Sequence, residues 1–247
     1  MAGTSAAFPA TDRDVAWPGL GWLRIAVLAG LVGGLGAAAW NLALGEPLLG
    51  KAIRLEDVNP VHVTAMAEPF TRGEQRVGMV VGELVLGAGL GLLLAGAALV
   101  AGPRFLGAPR RAWLGLVAAG AWAFLVLPAI AYPALPPGVE SSLPIDTRQL
   151  SYLALVGAGA LGAVLARLAR LRFDGRVRPV SAFVAFALTA VLAVSLLPSE
   201  HVLTQVDSGL LLRFRATAVG GQAVLWALTG IAGLWLLGMM RARRSSI

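Results

Sequence analysis

Residues 70–91 read FTRGEQRVGMVVGELVLGAGLG. The stretch opens among charged residues, then passes at Val77 into a run that is apolar or glycine as far as Ala101, apart from Glu83. Such a run is long enough to cross about 30 Å of hydrocarbon as a helix. Six residues separate Arg76 from Glu83, which puts the carboxyl about 9 Å inside the charged edge. A charge at the centre of a spanning helix costs about 2.5–3.5 kcal/mol on insertion scales, and less toward the interface. Glu83 therefore needs a partner. It reads as an ion or proton site, or as an acid near the headgroups that is protonated or paired with an arginine.

The whole chain has the same character. Of its 247 residues 57% are hydrophobic and only 13% charged, against about a quarter charged in soluble domains, and the mean hydropathy is +0.78. This is the composition of a polytopic membrane protein. The absence of cysteine excludes disulfides, thiolate metal sites and cysteine nucleophiles. The net charge of +7 reads as arginine on cytoplasmic loops rather than as a nucleic-acid surface.

Six hydrophobic runs follow one another, at 23–44, 77–101, 113–132, 150–166, 180–197 and 216–240. The expected organisation is a cytoplasmic segment over 1–22 with no removed signal peptide, one all-α transmembrane domain over 23–240, and a basic tail over 241–247. With six spans, thirteen Lys/Arg fall on the side of the termini and seven on the other, which also holds nine of the thirteen acids. The positive-inside rule then places both termini in the cytoplasm and the chain in the cytoplasmic (inner) membrane. The runs pair as three hairpins opening outward. The first helix of each ends near Pro47, Pro133 or Pro198, and the second is preceded by Arg76, Arg148 or Arg215. Setting Arg76 on Arg215 brings Gly82-Glu83 to the depth of Gly221-Gln222, as in a parallel internal repeat. In the long loop at 45–76, Leu48, Leu49, Ala52 and Ile53 share a face, so a short helix lying on the outer surface is expected after Pro47.

No P-loop, zinc-protease motif or dinucleotide fingerprint is present, and no nucleophile–base constellation suggests an enzyme. The spacings Gly30…Gly34, Gly78…Gly82 and Gly87…Gly91 are small-xxx-small patterns that bring helices together in lipid. Asn41, Glu83 and Gln222 fall in the outer parts of their helices; facing each other they would form an oxygen-rich vestibule for a hydrated cation, and otherwise they bond between helices. His62 and His201 lie in outer loops, with Met66, Glu68, Glu200 and Asp207 near them in sequence. Imidazole with carboxylate or thioether suits a first-row divalent metal. Arg213 and Arg215 anchor the last helix, pair with Glu83 from above, or repel cations.

An ordered series of motifs carries a resemblance. GEPLLGKAIRLED follows the first run, TRGEQRVG precedes the second, LPAIAYPALPP closes the third and TRQLSYL opens the fourth; LLP and LLLRFRATAVGGQAVLWALTG complete it. From about residue 23 to 235 the chain resembles the CbtA family of proposed cobalt-transporter subunits. The resemblance implies cobalt(II) as transported ion, no bound cofactor, and a small single-span, histidine-bearing CbtB-like partner alongside membrane lipids. The matching outer-face positions include Glu46, Arg72, Arg148, Arg213 and Arg215, and the metal candidates become His62, His201, Glu83 and Glu46. Relatives often carry a histidine-rich first outer loop, where this chain has only His62. The alternative is an accessory subunit that packs against a larger membrane complex and transports nothing.

Overall fold

The computed structural model describes residues 20–57, 70–203 and 207–245. Among them every regular element is helical, and the one extended pairing is an isolated antiparallel bridge between Ser141 and Val202. Six helices are long and apolar enough to cross a membrane: Gly21–Arg54, Arg72–Leu106, Pro109–Ala131, Ile145–Arg172, Val177–Leu196 and Ser208–Met240. The shortest has 20 residues, which at 1.5 Å each spans about 30 Å. The chain is a polytopic membrane helix bundle. Six crossings put Gly21 and Met240 at one end of the bundle, and Asp57, Arg72 and residues 132–144 and 197–203 at the other, distal end.

The first span is not one regular helix. α1 (Gly21–Trp40) runs into a π-helical segment, Asn41–Gly45, and continues as α2 (Glu46–Asp57). The Glu46 N–H donates to the Asn41 carbonyl five residues back, the wider ring of a π turn. Pro47 follows at once; in an unbroken α-helix its ring would press on the carbonyl four residues earlier. The expected separate helix after Pro47 is thus a continuation of the first span, because the π turn absorbs the proline. The third span repeats the device. α4 (Pro109–Ala121) meets a second π segment, Trp122–Val126, then α5 (Leu127–Ala131), with Pro128 again in second place. The proline equivalent to Pro47 is therefore Pro128, not Pro133.

α3 (Arg72–Leu106) starts in a capping box. The Thr71 hydroxyl accepts from the Glu74 N–H at 3.3 Å, and the Glu74 carboxylate accepts from the Thr71 N–H at 2.7 Å. Gly102, at φ +67°, interrupts the helix just before Pro103, so the apolar run ends in a conformation that favours glycine. α6 (Ile145–Arg172), α7 (Val177–Leu196) and α8 (Ser208–Ser245) complete the bundle.

α1 is the central helix, and glycine decides its neighbours. A Cβ added at Gly30 or Gly34 would strike the Gly87 or Glu83 carbonyl, and one at Gly87 or Gly91 would strike the Gly30 or Ala26 carbonyl. α1 and α3 therefore meet backbone to backbone, as small residues allow in lipid. On its other side, Gly33 admits Thr229 and Leu225 of α8, and Gly36 admits Leu228. Gly78 and Gly82 have nothing within 4 Å, so the Gly78…Gly82 pattern makes no such contact. α6 packs against α7, α5 and the second π segment. α7 buries only Ala182. Consecutive in the chain, α7 and α8 are not packed on each other; α8 lies on α1 and α4 instead.

Two tryptophans fix α8. Trp113 Nε1 donates to the Gly230 carbonyl and Trp40 Nε1 to the Thr217 carbonyl, each at 3.0 Å. Their rings occupy the space that side chains at Gly233 and Gly220 would take. Trp22 stacks on Trp113 with ring centres 5.8 Å apart, and both are fully buried. These two belong to the core, whereas Trp235 is exposed on the bundle surface.

Candidate functional site

The polar contact inside the bundle is made where α1 turns into its π segment. Asn41 Nδ2 donates to Glu83 Oε1 at 2.8 Å, both side chains being half-buried. The second carboxylate oxygen of Glu83 is buried and has no hydrogen-bond partner. Asn41 also reaches α8: a Cβ at Gly221 would lie 2.9 Å from Asn41 Oδ1. One side chain thus touches α3 at Glu83 and α8 at Gly221, so those residues share a depth. Glu83 takes its hydrogen bond from Asn41 rather than from Arg213 or Arg215.

Gln222 faces elsewhere. It lines a crevice of about 660 Å³ with Tyr132, Arg148 and Tyr152, between α5, α6 and α8. Glu83 thus lies level with Gly221, one residue from the expected match at Gln222, which lines the other crevice. Asn41 supplies the second polar group beside Glu83.

At the distal end Glu46 and Glu200 are committed to arginine. Glu46 Oε1 receives Arg72 at 3.0 Å and Arg76 at 2.7 Å, and its side chain is 12% exposed. It ties the first residues of α2 to the first turn of α3. Glu200, 3% exposed, pairs with Arg148 at 2.8 Å and accepts from Ser141 Oγ at 2.7 Å. Arg148 also donates to the Pro133 carbonyl at 3.0 Å, and Tyr132 Oη to the Pro198 carbonyl at 2.7 Å. The same strap pairs residues 140–142 with 201–203: Ser142 N–H donates to the His201 carbonyl, and Leu203 N–H to the Glu140 carbonyl. His201 donates its own N–H to Ser142 Oγ at 2.9 Å, and its exposed ring has Ser199 Oγ 3.4 Å from Nε2. Asp207 caps α8 through the Leu210 N–H at 2.7 Å. Arg213 lines a distal cavity with Lys51 and Arg54, and Arg215 holds a buried Nε without a hydrogen-bond partner.

His62, Met66 and Glu68 lie outside the described residues. Among the described residues no three His, Asp or Glu side chains converge on a point where a metal ion could bind. Glu46 and His201 are held by different neighbours, and neither joins Glu83. The sequence reading passed over the strap and the capping box, although the T-x-x-E spacing of Thr71 and Glu74 announces the latter.

A family model described as "Probable cobalt transporter subunit (CbtA)" matches residues 21–238. The chain belongs to the CbtA family. No curated protein and no solved structure matches it. The match takes in all six spans, so the CbtA frame includes α1 with its π turn, the Asn41–Glu83 contact and the distal strap. The family's description as a transporter subunit makes this chain one component of a membrane assembly.

Proposed function

We propose that this CbtA protein passes divalent cobalt, or a related transition-metal cation, inward across the cytoplasmic membrane, with its termini in the cytoplasm. The observation that carries the reading is the Asn41–Glu83 contact. A carboxylate in a spanning segment is costly unless it has a use or a partner. Glu83 has a partner on one oxygen and an unbonded second oxygen. A hydrated divalent ion that sheds water needs oxygen or nitrogen ligands, and Glu83 offers negative charge where the surrounding side chains are apolar. Capture from solution is then left to His62, His201 or a companion subunit with histidines, because Glu46 is engaged by two arginines.

Cobalt-57 uptake by cells expressing the chain, with and without a single-span companion, tests this. Glu83→Gln keeps an acceptor for Asn41 and removes the charge, so uptake falls at least about tenfold while the purified variant melts as the parent does. His62→Ala and His201→Ala weaken uptake at low metal and recover at high metal. Full uptake by Glu83→Gln refutes the passage role.

A second reading, a non-transporting accessory subunit, rests on α7. That helix buries only Ala182 and exposes Phe183, Val184, Leu188 and Val191, a face free to meet lipid or a larger complex. Absence of metal accumulation in every expressing strain would favour it.

A further inference from the structure

Two cavities at the distal end, both beside α2, have charged linings that are mainly cationic. A cavity of about 690 Å³ lies between α2 and the start of α3, lined by Lys51, Arg54, Arg72 and Arg76 around Glu46, with Leu42 and Pro47 on its apolar side. A second, of about 460 Å³, lies between α2 and the start of α8 and shares Lys51 and Arg54, adding Arg213 and Asp207. Five cations thus face two carboxylates among the described residues, and both carboxylates already have duties. Glu46 holds Arg72 and Arg76, while Asp207 accepts from the Leu210 N–H.

We propose that the larger cavity is a phosphate site. Guanidinium forks match phosphate geometry, and cations preset by a neighbouring acid lose little freedom on binding. Its depth points the same way. Arg72 and Arg76 end the charged segment, and the apolar run begins at Val77, so the cavity lies at headgroup level with an apolar edge toward the acyl chains. Two sources share this chemistry: the headgroup of an anionic lipid, and a soluble phosphate. The site does not depend on the cargo, and its test reads neither metal nor uptake.

The purified full chain is reconstituted in nanodiscs of mixed phosphatidylglycerol and phosphatidylcholine, and the lipid retained after detergent exchange is quantified. Lys51→Gln/Arg54→Gln leaves the Glu46 ion pairs intact. At about 1 kcal/mol per basic residue near an anionic surface it weakens phosphatidylglycerol retention about thirtyfold. Arg170→Gln/Arg172→Gln, at the opposite end of the bundle, leaves retention unchanged. Lipid-stripped protein is separately titrated with inorganic phosphate and followed by thermal unfolding. Selective retention of phosphatidylglycerol identifies a lipid site. Stabilisation by submillimolar phosphate without lipid selectivity, lost in the Lys51/Arg54 variant, identifies a soluble phosphate. Neither response, or equal loss in both double variants, overturns the proposal.

Discussion

Asn41 shows how one side chain can register three helices. It stands at the first position of the π segment, donates to Glu83 on α3, and rests its carbonyl oxygen against Gly221 on α8. That arrangement exists because glycine lets the three backbones close in. Helix association in lipid draws little on the hydrophobic effect and relies on contact, so a single methyl group at the closest approach is costly. Gly87→Ala sets a Cβ against the Gly30 carbonyl, and overpacking of this kind costs about 1–3 kcal/mol. A fall of at least about 3 °C in detergent thermal unfolding is expected. Gly82→Ala, where nothing lies within 4 Å, removes backbone freedom from the unfolded chain and is neutral or stabilising by up to about 1 kcal/mol. Equal destabilisation by both would contradict the assigned α1–α3 contact.

Between elements, the distal strap fastens spans that the membrane alone would leave loosely related. Glu200 is nearly enclosed, and Arg148 is the cation that compensates it while also bonding the Pro133 carbonyl. Removing Arg148 leaves a buried carboxylate uncompensated. Arg148→Gln should therefore cost about 3 kcal/mol, the low end for buried pairs because Arg148 keeps 31% exposure. Arg148→Met combined with Glu200→Leu removes both charges and should cost less than the single change. Amide exchange at 140–142 and 201–203 reads the effect locally. A double substitution worse than the single would mean that the strap does not depend on this pair. The strap also shows where sequence reading loses its hold. Rise per residue, counted from the charged edges, gives depth, and it set Glu83 level with Gln222, one residue from the Gly221 that Asn41 touches. It gives no azimuth, because that is set by which helix is the neighbour, and so Gln222 turned out to face the crevice beside Tyr152. The π segments were hidden for a similar reason. Pro47 and Pro128 were visible, but whether a proline ends a helix or is absorbed by a wider turn depends on packing beyond it.

For the molecule as a whole, the spans and their order were legible because each apolar run is bounded by charge, whereas the neighbour relations were not. α8 leaves its sequence partner α7 and settles on α1 because Gly33, Gly36, Gly220 and Gly221 open a path for it. Span count and orientation can be tested directly, since the chain contains no cysteine and any introduced thiol is unique. Ser199, exposed at the distal end, and Asp174, exposed in the segment between α6 and α7, fall on opposite ends of the bundle. Thirteen bases on the side of the termini, against seven on the other, predict a cytoplasmic Asp174 under the proposed orientation. A membrane-impermeant maleimide should label Ser199→Cys in intact cells and Asp174→Cys only after permeabilisation. The reverse pattern would invert the molecule and set the phosphate cavity against the inner leaflet. Labelling of both in intact cells would require an even number of crossings between them, which a single spanning α7 forbids if the cells are sealed. That outcome would remove α7 from the membrane and with it the six-span arrangement.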